Sequence, residues 1–270
     1  MNNSRKRLIF SFLLNIIMII LFISSNIISI INIYNNPNSV YQNVWGLFRY
    51  FTFDGNFLSC IFNIIITVKE YKAIKLSNEE DIKKITVTHF LYIIGLISAC
   101  NEILIFAVVM FIFLPFVTKD MIIALIGSYK SSCVHIIIPI LLTFRFLFLD
   151  RRDRELKLLE RFIGGIPMSI YGITIYILAG AKVFTSYDKN EGDGKIPYPF
   201  FDVYHQDWYF CLSIAISIII FGFGTSFLFN FLNKKFEKCL FPINQEINLE
   251  IGDEKEEQKL FVESTSSEQN

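Results

Sequence analysis

Six predominantly apolar stretches, each about twenty residues long, constrain this chain more than any other feature. A helix rising 1.5 Å per residue needs about that length to cross roughly 30 Å of hydrocarbon. The stretches run over Leu8–Ile33, Leu47–Val68, Thr88–Phe116, Ser132–Leu149, Phe162–Ala181 and Trp208–Leu232. Breakers and charges separate them: Asn35 to Asn38 around Pro37, the segment from Lys69 to Lys84, Thr118-Lys119-Asp120, the run from Asp150 to Arg161, and Tyr187 to Gly194. The expected fold class is therefore all-α, an integral membrane bundle of six transmembrane helices. Composition agrees, with 53% hydrophobic and 19% charged residues, more apolar and less charged than an ordinary soluble domain.

Residues 1–233 make one membrane domain on this reading. Residues 234–270 are polar and acidic, through Asp253-Glu254-Lys255-Glu256-Glu257, and read as a disordered cytoplasmic tail. The segment from Met121 to Lys130 either lengthens the fourth helix or lies along the interface. Arg5-Lys6-Arg7 before an apolar run imitates a signal peptide, but the run is too long and lacks a small-residue cleavage site. It reads as an uncleaved first span.

Lys and Arg set the orientation. Sixteen fall on one side: at the N-terminus, in the second and fourth loops, and after the sixth span. Six fall on the other: Arg49, Lys119, Lys130, Lys182, Lys189 and Lys195. The excess alternates correctly for six spans, so both termini are expected in the cytoplasm. A net charge of zero gives no basic patch for nucleic acid. The abundance of Ile, Asn, Phe and Lys suits an AT-rich genome, hence the plasma membrane of a low-GC bacterium. Cys60, Cys100, Cys133, Cys211 and Cys239 have unrelated spacings. They suggest neither a zinc site nor a disulfide framework and read as packing residues. No cofactor motif is present.

Polar residues inside spans need a partner, a cavity or a task. Thr52, Asn56, Ser59 and Asn63 are spaced i, i+4, i+7, i+11, which places them on one face of the second helix, turned toward other helices. Ser128, Ser132, His135 and Pro139 repeat that spacing in the fourth, and Glu102 lies near the middle of the third. Thr52 sits about 7 Å below the outer end, and His135 enters at similar depth. A hydroxyl beside a base is the minimum for nucleophilic acyl transfer. The alternative is that Thr52 bonds its own backbone and His135 ties helices together. Asp54, about 200° around the helix from Thr52, is an interfacial or cation-facing carboxylate. Glu102 either completes a site or packs as a protonated carboxyl. Arg145, near the cytoplasmic end, is expected to snorkel outward. The segment Ile196-Pro197-Tyr198-Pro199-Phe200 cannot be helical and serves as an aromatic interface anchor or a lid over the outer mouth.

Three segments in order, Phe48-Arg49-Tyr50-Phe51-Thr52-Phe53, His135-Ile136-Ile137-Ile138-Pro139 and Pro197-Tyr198-Pro199-Phe200, resemble the androgen-induced gene family of six-span membrane proteins and its bacterial relatives. Eukaryotic members are hydrolases of fatty-acid esters of hydroxy fatty acids that use a threonine and a histidine. The resemblance implies Thr52 as nucleophile and His135 as base. The Asp54-Gly55-Asn56 stretch follows the bacterial pattern instead. Asn56, one turn below Thr52, is the candidate donor to an oxyanion. The expected partners are membrane lipids or a lipid-like substrate. A small-molecule carrier, or the substrate-binding subunit of one, is the competing expectation. No span is clearly broken by Gly or Pro at its midpoint, the usual mark of a transport site. A membrane protein without catalysis is the third.

Overall fold

Hydrocarbon offers no hydrogen bonds, so a spanning chain must satisfy its backbone within each segment. The computed structural model, which describes residues 3–35, 51–113, 127–181 and 207–240, obeys this with helices throughout and no strand among those residues. We label them α1 (Asn3–Asn35), α2 (Phe51–Ile74), α3 (Glu79–Thr86), α4 (His89–Ala107), α5 (Tyr129–Phe148), α6 (Leu159–Gly180) and α7 (Trp208–Leu240). α4 continues as a π-helical segment over Val108–Phe113. All but α3 are long and apolar enough to cross a membrane. The six expected spans are the six observed helices, with ends displaced by a few residues. The largest displacement is in α7, which runs on to Leu240, past the boundary drawn at 233. The rest of the tail, Phe48 to Tyr50, residues 121–126 and the Pro197-Tyr198-Pro199-Phe200 segment lie outside the described residues.

Local signals explain the ends. The Thr88 hydroxyl caps α4 by accepting from the Leu91 amide at 3.3 Å, and Ser128 caps α5 by accepting from Ser131 at 3.2 Å. Such caps satisfy amides that no helical carbonyl reaches. The short α3 places Glu79, Glu80 and Asp81 in its first turn and Lys83 and Lys84 in its last, the order that the helix dipole favours.

The outside of the bundle is strongly apolar, and polar residues lie buried among apolar ones inside. On α1, Phe10, Leu13, Ile17 and Ile20 are half exposed, while Ser11, Asn15, Ser25 and Ser29 are buried. A water-soluble protein places these classes the other way round; lipid accounts for this arrangement. α4 is the axial helix. It packs against α2, α5, α6 and α7, while α1 rests on α2 and α5. Small residues permit the closest approaches. A Cβ on Gly165 at the start of α6 would lie 2.8 Å from the Phe223 amide nitrogen and 2.9 Å from the Gly222 carbonyl carbon of α7. At the basic end of the bundle, Tyr92 of α4 donates toward Asn230 and Asn233 of α7, each at 3.1 Å. Asn233 in turn donates to the Phe146 carbonyl at 2.8 Å. In the loop between α5 and α6, Glu155 is bonded by Lys234 from the last turns of α7, which holds that carboxyl below its ordinary range.

Candidate functional site

The polar face of α2 is turned inward. Asn56, Ser59 and Asn63 are each about 2% exposed or less. Glu70 lies 18 residues after Thr52, five whole turns, so the same stripe continues to the far end of the helix. Polar groups of α1, α4 and α5 meet this stripe and divide into two centres.

The centre toward the basic end is saturated. Arg145, completely buried, makes a two-point contact with Asp150 at 3.2 and 2.7 Å. Its Nη1 donates to Asn63 at 2.7 Å and Asn15 at 3.0 Å. Asn15 passes a bond to Glu70 at 2.8 Å, and Ser11 donates to the same carboxylate at 2.5 Å. Three helices, α1, α2 and α5, are thereby joined around two acid–base partners. The expectation that Arg145 snorkels is corrected. It shares the inward face of α5 with Leu142 and Phe146, both fully buried, and Asp150 folds back beneath it. Gly95 of α4 makes the room, since a Cβ there would sit 2.4 Å from Asp150 Oδ2. Asp150, Asn15, Ser11 and Glu70 were missed from sequence. The signals were there: Ser11 and Asn15 are one turn apart, and Glu70 extends the α2 stripe. A cavity of about 530 Å³ opens beside this centre between α1, α2, α3 and α4. Its wall includes Arg5, Arg7, Lys83 and Arg151 together with Leu8, Ile66 and Leu91. Arg5 donates to the Ile74 carbonyl at 3.0 Å and Arg7 to the Leu149 carbonyl, closing the ends of α2 and α5 where cations are favoured.

The centre toward the opposite end contains the sequence candidates. α2 and α5, whose adjacency the sequence left open, meet here. The Asn56 amide donates to its own helix at the Thr52 carbonyl, 2.7 Å, and across to the Val134 carbonyl, 3.4 Å. Thr52 is half-buried in the first turn of α2, and His135 follows Val134 in α5. No hydrogen bond joins the Thr52 hydroxyl to His135 among the described residues; the tie between α2 and α5 is made by Asn56, one turn from Thr52, at the carbonyl of the residue before His135. His135 lies in a π-helical segment, Cys133–Ile137. Pro139 has no N–H for the His135 carbonyl four residues earlier, and its ring crowds that carbonyl. The Ile138 amide reaches back to Cys133 instead. Such bulges recur at functional sites. Nδ1 of His135 is buried and makes no hydrogen bond.

The same is true of several neighbours. Asn56 Oδ1, the Ser59 and Ser98 hydroxyls, both ends of the Asn101 amide and both Glu102 oxygens are buried without a partner. Ser59 lies against the Glu102 carboxyl but forms no hydrogen bond of good geometry with it. Asn56 is already engaged through its donor nitrogen, so donating to an oxyanion requires giving up the long bond to Val134. Asp54, half-buried in the first turn of α2, sits where a helix N-terminus favours a carboxylate. Cys60, Cys100, Cys133 and Cys211 are buried and Cys239 is exposed, and none of the five forms a disulfide.

These features define a multi-pass membrane protein built as a bundle of six spanning helices, with α4 as the axial one. Comparison with family models, with curated proteins and with solved structures returned no match.

Proposed function

We propose that the chain is a membrane-embedded hydrolase of lipid esters, with its basic end in the cytoplasm and Thr52 and His135 near the opposite interface. The observation that carries the reading is the bond from Asn56 to the Val134 carbonyl. It holds the first turn of α2 against the π-helical segment containing a buried, unpartnered imidazole nitrogen. A lipid ester enters sideways, its acyl chains among the helices and its carbonyl beside Thr52. Thr52 Oγ1 attacks the carbonyl carbon while His135 takes its proton. The tetrahedral intermediate collapses, the C–O bond to the alcohol breaks, and His135 returns the proton to the leaving alkoxide. Water, deprotonated by the same imidazole, then attacks the acyl-Thr52 ester; the bond to Thr52 Oγ1 breaks, the imidazolium returns its proton to that oxygen, and the fatty acid leaves. Labelling of detergent-purified protein by a fluorophosphonate probe tests this. Label on wild type, lost in Thr52→Ala and His135→Ala with folding intact, is the expected result. Full esterase activity in both variants would overturn it.

One observation favours a carrier as the second reading. The polar stripe of α2 leads from Thr52 through Asn63 to Glu70, which lines the cavity at the basic end. Counterflow of a labelled solute in proteoliposomes, insensitive to Thr52→Ala, would support it over the hydrolase.

A further inference from the structure

An unpaired carboxyl in the middle of a membrane bundle demands an account. Glu102 is fully buried on the axial helix, and neither of its oxygens is hydrogen-bonded. Burying polar groups without partners costs stability, and burying a bare charge costs far more. Here the debt is concentrated. Ser98 stands four residues before Glu102 and so shares its face of α4, and Asn101 lies three residues after Ser98. Ser59 of α2 lies against the Glu102 carboxyl, and Asn56 is one turn from Ser59. All five side chains are about 2% exposed or less. Each contributes at least one buried oxygen with no hydrogen-bond partner.

The donor set has a definite chemistry. It is all hard oxygen: one carboxylate, two amides and two hydroxyls, the ligands that alkali and alkaline-earth cations take. Only one of these groups carries charge, and no cluster of three His, Cys, Asp or Glu converges among the described residues. A divalent ion would leave an uncompensated positive charge at hydrocarbon depth. A monovalent ion leaves none. The buried guanidinium of Arg145 is not available as counter-ion, because Asp150, Asn63 and Asn15 occupy it. We propose that Glu102, Ser59, Ser98, Asn101 and Asn56 form a binding site for a monovalent alkali cation between α2 and α4. The ion neutralises the carboxylate and satisfies the oxygens that the protein leaves open. The inference is independent of the hydrolase reading, because it concerns binding rather than turnover.

Thermal unfolding of the full-length protein in detergent, followed by tryptophan fluorescence, tests it without an activity assay. Sodium or potassium chloride is titrated against choline chloride at constant ionic strength, above pH 8. A saturable rise in midpoint temperature with either alkali ion and none with choline is expected, since a ligand that binds only the folded state stabilises it. Glu102→Gln is expected to lose the rise. Ser59→Ala and Asn101→Ala keep the carboxylate and are expected to raise the half-saturating concentration about tenfold, a change of about 1.4 kcal/mol. These two variants decide the matter if Glu102→Gln fails to fold. An equal response to alkali ions and choline overturns the proposal. So does an undiminished response in Glu102→Gln, or in both of the other variants. Stabilisation by acid alone would place a proton on Glu102 and overturn it too.

Discussion

The two polar centres of this bundle use similar residues to opposite ends. Around Arg145 the described donors and acceptors close on one another: guanidinium to Asp150, Asn63 and Asn15, then on to Glu70 and Ser11. Around Glu102 almost nothing closes. A polar network in low dielectric fixes helix positions when every member is satisfied, and is a liability when it is not. The first centre is therefore a clasp for α1, α2 and α5. The second, bearing a larger debt of unmade bonds, is where a ligand has something to offer. The difference teaches that burial of polar residues in a membrane bundle does not by itself mark function; the bonds left open do.

The comparison breaks most severely at the clasp. Arg145→Leu leaves Asp150, Asn63 and Asn15 facing a hydrocarbon side chain, and removal of one member of a buried pair costs about 3–5 kcal/mol. The expected outcome is a large fall in the thermal midpoint in detergent, or loss of folded protein on size-exclusion chromatography. Arg145→Leu combined with Asp150→Asn should recover part of that loss, because the carboxylate that faced the guanidinium is no longer left without its partner. If the single variant unfolds at the wild-type temperature, the saturated centre is not a clasp.

Gly165→Ala comes next. Its new Cβ would meet the backbone of α7 below 3 Å at two atoms, and backbone cannot move aside as a side-chain tip can. Overpacking of this kind costs about 1–3 kcal/mol, and thermal unfolding reads it. Gly172→Ala is the control, since nothing lies within 4 Å of a Cβ there; it should leave the midpoint unchanged or raise it slightly.

Thr52→Ala and His135→Ala sharpen the contrast by separating fold from chemistry. Neither side chain is hydrogen-bonded to the clasp, so each variant should unfold within about 0.5 kcal/mol of wild type, the range of substitutions away from critical features. Under the proposed function, both should lose fluorophosphonate labelling. A loss of stability matching that of Arg145→Leu would instead make the candidate site structural.

Much of this was legible before the fold was known, and the boundary is physical. Helix number follows from apolar length, because the bilayer sets a ruler. The inward face of α2 follows from the spacing of Thr52, Asn56, Ser59 and Asn63, because helical periodicity is local. What a side chain meets is not local. Arg145 is one turn from the end of α5, so snorkelling was the economical reading; only the return of Asp150 under it and the room beside Gly95 reverse that. Likewise the sequence placed Thr52 and His135 at one depth, while the meeting of α2 and α5 there rests on Asn56 reaching Val134. The π-helical turn at His135 was implicit in Pro139, four residues on, yet was not drawn from it.

The finest discrimination between the centres is one of sign. Asn63→Ala removes an acceptor of the buried guanidinium and should destabilise by about 1–3 kcal/mol. Ser98→Ala removes a hydroxyl that has no partner and no more volume than the oxygen itself. In sodium-free buffer it should be neutral or stabilising by up to about 1 kcal/mol, because it removes an unmet polar group. In saturating sodium the same substitution should become destabilising, since the hydroxyl then has an ion to coordinate. Paired thermal scans of Ser98→Ala in choline and in sodium chloride read the difference directly. A change of sign between the two salts means that the open bonds are there to hold a cation. Destabilisation of equal size in both means that Ser98 is bonded within the protein and that the second centre is a clasp like the first.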